Sequence, residues 1–227
     1  MTGHFDDPEF VKRYAEGPGR FVPGYQVMQR MVAQLIGEAI GRTGDVLVLG
    51  AGGGLEIEAF ARLEVGWRFV GVDPAKAMLG AARALVASAG AGDRVLWHEG
   101  YIFDAPTGPF DAATSLLTLH FAPDDGAKRD TLLAIRERLK PGAPFALVDL
   151  CMEKDAADHE LRLARYRAFA INSGADPKDV AETVERVRNV INTVPAVRNE
   201  QLLVESGFRD ADLIYAGLSW RGWVARA

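Results

Sequence analysis

Val46-Leu47-Val48-Leu49-Gly50-Ala51-Gly52-Gly53-Gly54-Leu55-Glu56 is the stretch on which the fold turns. Five residues, Val46 to Gly50, form an apolar run bounded upstream by the turn residues Arg42-Thr43-Gly44-Asp45, the pattern of a strand buried on both faces. The glycines after it lack Cβ atoms, so the backbone can bend tightly and let a ligand lie against it. A helical stretch, Leu55–Leu63, follows at once. Strand, glycine bend and helix in this order put a binding loop at the carboxyl end of a strand, where open α/β sheets bind ligands.

Working outward, Val27, Met28, Met31, Val32, Leu35, Ile36 and Ile40 recur at helical spacing and predict an amphipathic helix from about Tyr25 to Ile40. Downstream, strands are predicted at Arg68–Asp73, Val95–Glu99, Phe110–Leu116 and Phe145–Asp149. Helices separate them at Leu55–Leu63, Ala75–Ala89 and Ala127–Leu139, the last stopped by Lys140-Pro141-Gly142. Alternation of this kind implies a parallel sheet with helices on both faces. From Cys151 to Phe208 the sequence reads mostly helical, and Asp212–Ala216 with Trp220–Ala225 reads as a closing antiparallel hairpin around Gly217-Leu218-Ser219. The expectation is an α/β fold with a Rossmann-like, mostly parallel seven-stranded sheet, an antiparallel C-terminal hairpin and a helical cap. No repeat or linker divides the chain. We expect a single domain: an N-terminal flap at 1–44, a cofactor-binding core at 45–150, a helical lid at 151–204 and the hairpin at 205–227.

Asp73 ends the second strand, where a carboxylate can accept hydrogen bonds from both hydroxyls of a ribose. A bend plus that acid calls for a nucleoside cofactor. A dinucleotide fingerprint wants a third glycine five residues after the first, and that position is Leu55. Glu56 and Glu58 crowd the first helical turn and would oppose a diphosphate, whereas the net cation S-adenosylmethionine is favoured by acidic neighbours. A solvated pair that only complements the helix dipole explains the two acids equally well. A nicotinamide oxidoreductase is disfavoured by Leu55.

Val46 to Gly54, then Val70-Gly71-Val72-Asp73, Phe110-Asp111 and Leu139-Lys140-Pro141-Gly142 resemble the ordered motifs of class I S-adenosylmethionine-dependent methyltransferases. A closer resemblance is to carboxy-S-adenosylmethionine synthases, enzymes of tRNA wobble modification on the same fold. It rests on Arg20 to Tyr25, Thr118-Leu119-His120-Phe121, Asn189-Val190 and Ser206-Gly207-Phe208. This resemblance implies a homodimer and a cofactor pocket to which Tyr25 contributes. It also implies Gly50, Ala51 and Gly52 against the cofactor, Asp73 at the ribose, the adenine between the loop Pro74-Ala75-Lys76-Ala77-Met78 and Tyr101-Ile102, and Leu116 at the end of the fourth strand.

The pattern also breaks. Tyr101 stands where relatives carry an acid for the adenine amino group, Leu116 where an asparagine is expected, and Val48 where many carry an acid supporting the methionine end. Counting back from Gly207-Phe208, the arginine that would hold a carboxylated cofactor falls on Val184, with Arg186 and Arg188 nearby. An anion buried without a cation costs several kcal/mol. We therefore expect ordinary S-adenosylmethionine and methyl transfer in line to a small-molecule acceptor. The alternatives are a carboxy-S-adenosylmethionine synthase and a non-catalytic S-adenosylmethionine-binding protein. His120 is the candidate base for a hydroxyl acceptor. Met78, at helical spacing, reads as core.

The remaining composition narrows partners and location. The chain has 227 residues, 48% hydrophobic and 25% charged, enough for one sizeable core. Thirty-one acidic against 26 basic residues give a formal charge of −5, which disfavours nucleic acid as a partner. The first thirty residues lack the apolar core of a signal peptide, and no apolar run nears the roughly 20 residues that span a bilayer. With a single cysteine, Cys151, nothing asks for an oxidising compartment, so a cytoplasmic protein without membrane contact is expected. His4, His98 and His159 are scattered without metal-ligand spacing, so no metal is expected, and Cys151 reads as packing. Leu161, Tyr166, Phe169, Ala170 and Ile171 are expected to line the acceptor pocket under a lid from Met152 to Val204. Arg162, Arg165, Arg167, Arg186, Arg188 and Arg198 make that segment the most basic. Tyr14 and Arg20, near a break at Gly17-Pro18-Gly19, are expected to fold over the site.

Overall fold

The computed structural model describes Phe5 and residues 7–227. Seven strands, β1 (Thr43–Leu49), β2 (Gly66–Asp73), β3 (Val95–Glu99), β4 (Ala112–Leu116), β5 (Pro144–Leu150), β6 (Arg209–Gly217) and β7 (Trp220–Arg226), form one sheet in the order β3-β2-β1-β4-β5-β7-β6. β1 to β5 run parallel, and β7 pairs antiparallel with both β5 and β6. The helices are α1 (Pro8–Arg13), α2 (Gly17–Phe21), α3 (Tyr25–Ile40), α4 (Leu55–Leu63), α5 (Lys76–Ser88), α6 (Ala127–Arg136), α7 (His159–Asn172), α8 (Pro177–Asn189) and α9 (Ala196–Glu205).

The first strand explains the layering. Val46 and Val48 enter one core with α3, α4, α7 and α8, while Leu47 and Leu49 enter another with α6 and α9. A strand sandwiched so can expose neither face, hence its continuous apolar run. The chain runs outward through β1, β2 and β3 and then returns to lay β4 on the other side of β1. That reversal is the topological switch point, and ligands of open α/β sheets bind at the carboxyl ends of strands there.

Several boundaries differ from expectation for identifiable reasons. The fourth strand starts at Ala112 instead of Phe110, because Asp111 turns its carboxylate onto the Asp45 amide at 3.0 Å and Phe110 makes an isolated bridge to Leu139. Leu139 is thereby taken out of α6, which ends at Arg136. The hairpin strands are longer than their apolar runs, since β6 is an edge strand with register shifts at Arg209/Asp212 and Leu213/Tyr215. Gly17-Pro18-Gly19 is not a break but the first turn of α2, where proline's missing N–H is no loss. The 151–204 segment resolves into α7, α8 and α9, with α7 packed on α8 and α2, and α9 packed on α6 and β6.

Candidate functional site

A cavity of about 390 Å3 opens at the carboxyl ends of β1, β2, β3 and β4. Its floor is the glycine bend. The N–H groups of Gly50 and Ala51 both donate to the Val72 carbonyl, at 2.9 and 3.1 Å, which ties the bend to β2. Gly50 sits at φ +82°, a left-handed conformation costly for any residue with a Cβ. Gly52 is required for a different reason. A Cβ there would lie 2.7 Å from Asp73 Oδ2.

Asp73 accordingly has a structural duty. Its Oδ2 accepts from the Gly52 amide at 2.9 Å and its Oδ1 from the Ala75 amide at 2.8 Å, so it fastens the bend to the loop after β2. An ionised carboxylate offers about four lone-pair sites, so it can accept from more than one donor at once. Tyr101 and Ile102 line the end of the cavity beyond β3, Ile102 buried and Tyr101 60% exposed, beside Pro74 and the buried Met78. Leu116 closes the β4 end. Tyr25 reaches in from α3 with its hydroxyl accepting from Gln29 Nε2 at 2.9 Å. All the residues expected around the cofactor, from Tyr25 to Leu116, therefore border one cavity.

Glu56 and Glu58 part company. Glu58 pairs with Arg62 on the outer side of α4, as an acid serving the helix dipole would. Glu56 is 7% exposed, lines the cavity and accepts from the Thr114 hydroxyl. Burial pushes its carboxyl up to about 8, against which the Thr114 hydrogen bond works. Once ionised, this carboxylate would repel a diphosphate and attract a cation.

The expected base falls elsewhere. His120 lies on the 3-10 turn Leu119–Phe121, and its ring turns away from the cavity toward β5. There Nδ1 meets Asp149 Oδ1 at 2.6 Å, the His120 amide donates to the same oxygen at 3.0 Å, and the ring packs against Phe121 and Trp220. Three residues per turn send neighbours to different sides. Leu119 and Phe121 border the cavity, whereas His120 does not. Cys151 is buried near Asn199 Nδ2, and burial pushes its thiol up to about 12, consistent with packing. His98 meets Asp104 at 3.3 Å and the His159 ring meets the Glu153 carbonyl at 3.1 Å, while His4 lies outside the described residues.

The cover also differs from expectation. No described residue of 151–204 borders the cavity. Tyr166 and Ala170 are spent in the helical core with Val180, Val184 and Val187, and Leu161 and Ile171 face outward. The mouth is closed instead by aromatic side chains. Phe5 meets both Phe10 and Phe121 edge-on at 5.5 Å, and Phe10 meets Tyr14 at 5.8 Å. The Tyr14 ring lies against Gly53, where a Cβ would come within 2.4 Å of it. Arg20 pairs with Glu16 at 2.6 Å and does not border the cavity. The backbone at the β4 end is itself strained, with Leu117 at φ +58° in the cavity wall, a conformation that non-glycine residues keep where function or packing demands it.

Residues 47–145 match the family described as methyltransferase domain. The carboxy-S-adenosyl-L-methionine synthase of Wolinella succinogenes is 26% identical over 161 residues, covering 70% of this chain and 65% of that protein. A putative O-methyltransferase from Nostoc punctiforme superposes with a TM-score of 0.69 at 19% identity, over 96% of this chain and 59% of the other. Human N-acetylserotonin methyltransferase, solved in complex with S-adenosylmethionine, gives 0.60 at 18% identity over 97% and 59% of the two chains. The chain thus spans 65% of the synthase and 59% of either solved structure.

Proposed function

We propose that this chain, whose residues 47–145 match a methyltransferase domain, is an S-adenosylmethionine-dependent enzyme that methylates a small-molecule acceptor by direct in-line transfer. The observation that carries the proposal is the Asp73 carboxylate, bonded to the Gly52 amide at 2.9 Å and bordering the cavity at the switch point. In this reading the ribose rests on Asp73, the adenine lies toward Tyr101 and Ile102, and the amino-acid end runs over β1 toward β4. The sulfonium is already a strong electrophile, so the protein's contribution is alignment and exclusion of water. The aromatic cover of Phe5, Tyr14 and Phe121 supports that role.

Asp73→Ala is expected to weaken S-adenosylmethionine binding by about 1.5–3 kcal/mol, the range of charge-assisted hydrogen bonds. Calorimetric titration measures it. Unaltered affinity would mean that the ribose rests elsewhere.

The position of His120 argues for a reaction without a histidine base. The variant His120→Gln is expected to lose stability while turnover per folded molecule stays at the wild-type level. Selective loss of turnover in the folded variant would return His120 to the chemistry.

A synthase acting through a carboxylated cofactor is the second reading, favoured by the similarity to the Wolinella protein. Against it stands Val184, 1% exposed in an apolar core. Of the two nearby arginines, Arg188 is paired with Glu160 and Glu185, and Arg186, which does not border the cavity, lies 5.6 Å over the ring of Phe5. Mass spectrometry of the ligand released from purified protein separates the readings, a carboxylated species favouring the synthase. Retained binding without turnover in a broad acceptor screen would instead favour a non-catalytic binding protein.

The proposal includes a cytoplasmic homodimer. Supporting it are the resemblance to the synthases and an edge strand, β6, that carries the exposed Leu213 beside an α9 carrying the exposed Val204. Light scattering in solution tests the dimer.

A further inference from the structure

Glu56 is the buried acid that neither the ribose nor the adenine of the proposed cofactor uses, and its placement is specific. Its carboxyl crosses from the first turn of α4 to the hydroxyl of Thr114 in β4. Thr114 is the Cα partner of Val48 in the parallel β1–β4 ladder, so the two side chains leave the sheet on the same face. The carboxyl therefore sits over β1 and β4, at the opposite end of the cavity from Tyr101 and Ile102 beyond β3. Val48 beside it is apolar and fully buried.

Arg186 lies 5.6 Å over the ring of Phe5 at the cavity mouth. Among the described residues bordering the cavity there is no lysine, arginine or histidine. The titratable neighbours of Glu56 are Tyr14 from the 3-10 turn Tyr14–Glu16, Tyr25 from α3 and, through Tyr14, Asp73 at the end of β2. Each is neutral or acidic. Glu58 on the same helix is already occupied by Arg62. A carboxyl so enclosed, with one oxygen on Thr114, has its other oxygen available to a ligand cation.

We infer that Glu56 is the counter-ion for the cationic amino-acid end of the cofactor, and that it takes up this charge by releasing its proton to solvent when the cofactor binds. This inference rests on the proposed function and deepens it, because it assigns the subsite that distinguishes a charged adenosyl amino acid from a neutral adenosyl thioether. Without a ligand cation beside it the Glu56 carboxyl keeps its proton, for burial raises its pKa to about 8. A cation beside it favours the carboxylate and lowers that value. Binding then releases a proton below pH about 8, and affinity rises with pH up to that point and levels above it. The sign for stability is opposite. In the empty protein the folded state keeps the Glu56 proton and the unfolded chain, with an ordinary carboxyl, gives it up. This contribution to stability therefore falls as pH rises from about 4.5 to about 8, and cofactor binding removes the fall.

The test is calorimetric titration of the full chain with S-adenosylmethionine and, separately, with 5′-methylthioadenosine, which lacks both the amino acid and the sulfonium charge. Buffers of different ionisation enthalpy count the protons released. Wild type should release a proton with S-adenosylmethionine and none with methylthioadenosine. Glu56→Gln should bind methylthioadenosine as wild type does, lose about 10- to 100-fold in affinity for S-adenosylmethionine, and release no proton. Its folding is checked by the pH dependence of thermal unfolding, in which the fall between about pH 4.5 and 8 should flatten. Equal S-adenosylmethionine affinity and proton count in wild type and Glu56→Gln would overturn the inference while leaving the Asp73 reading intact. Failure of wild type to bind either ligand would instead overturn that reading and the inference with it.

Discussion

Asp149→Ala is expected to cost about 3–5 kcal/mol of stability, the range for removing one member of a buried charged pair. Asp149 is fully buried near the end of β5, and its two oxygens serve three donors. The His120 amide and ring meet Oδ1 at 3.0 and 2.6 Å, and Asn199 Nδ2 approaches Oδ2 at 3.4 Å. Lys128, also fully buried, lies close enough for the Asp149 charge to raise its pKa while burial, the larger effect, lowers it; its ammonium donates to the Leu119 carbonyl at 2.8 Å. Without the carboxylate, an amide, an imidazole and an ammonium lose their acceptor or counter-charge together in a place water does not reach. Asp149→Asn keeps an acceptor oxygen and should cost less, about 1–3 kcal/mol. Urea unfolding with an unchanged slope measures both, and the alanine variant's melting temperature should drop by about 6–20 °C. The consequence extends to the site, because the turn held by Asp149 carries Phe121 in the cavity wall. A loss below about 1 kcal/mol would show that this cluster does not hold the turn.

The origin of this cluster shows why part of the site was readable in the sequence and part was not. Gly50, Gly52 and Asp73 were legible because their chemistry is backbone chemistry: a residue without a Cβ and an acid at a strand end mean the same thing wherever the strands are recognised. β1 and β5 were legible because burial on both faces leaves a nearly continuous apolar run, whereas the edge strand β3 has no buried residue. His120 and Phe121 are adjacent on a turn of three residues per rotation, and nothing in their order says which one faces the ligand. Glu56 was visible as an acid, yet a solvated helix end and a buried cavity wall share the same residue type at the same position; Thr114, 58 residues away, decides between them. The lid was misplaced for a related reason. Leu163, Tyr166 and Ala170 have the spacing of an apolar face, and such a face fits a neighbouring helix as well as a ligand; here α8 takes it. The aromatic cover from Phe5, Tyr14 and Phe121 came from separate segments whose meeting only tertiary packing reveals.

Gly50→Ala should damage both stability and cofactor binding. A Cβ at this position would lie 1.9 Å from Thr118 Oγ1 and 2.8 Å from its Cβ and Cγ2, and φ there is +82°. The left-handed conformation costs a residue with a Cβ about 1–2 kcal/mol. Overpacking adds about 1–3 kcal/mol, so the expected loss is roughly 2–5 kcal/mol. Thr118 is not free to retreat, since its hydroxyl donates to the Leu116 carbonyl at 3.0 Å and the Leu119–Phe121 turn begins just after it. The bend must move instead, carrying the Gly52 amide away from Asp73. Cofactor affinity should then fall by about 10- to 100-fold, comparable to losing a charged hydrogen bond. The double variant Gly50→Ala/Thr118→Ala separates the two costs. Deleting Oγ1 and Cγ2 relieves most of the clash and leaves the backbone strain, so the double-mutant cycle should recover part of the loss and no more. Full recovery would assign the whole effect to the clash. A single variant as stable as wild type and binding S-adenosylmethionine as tightly would mean that the ligand does not rest on this bend.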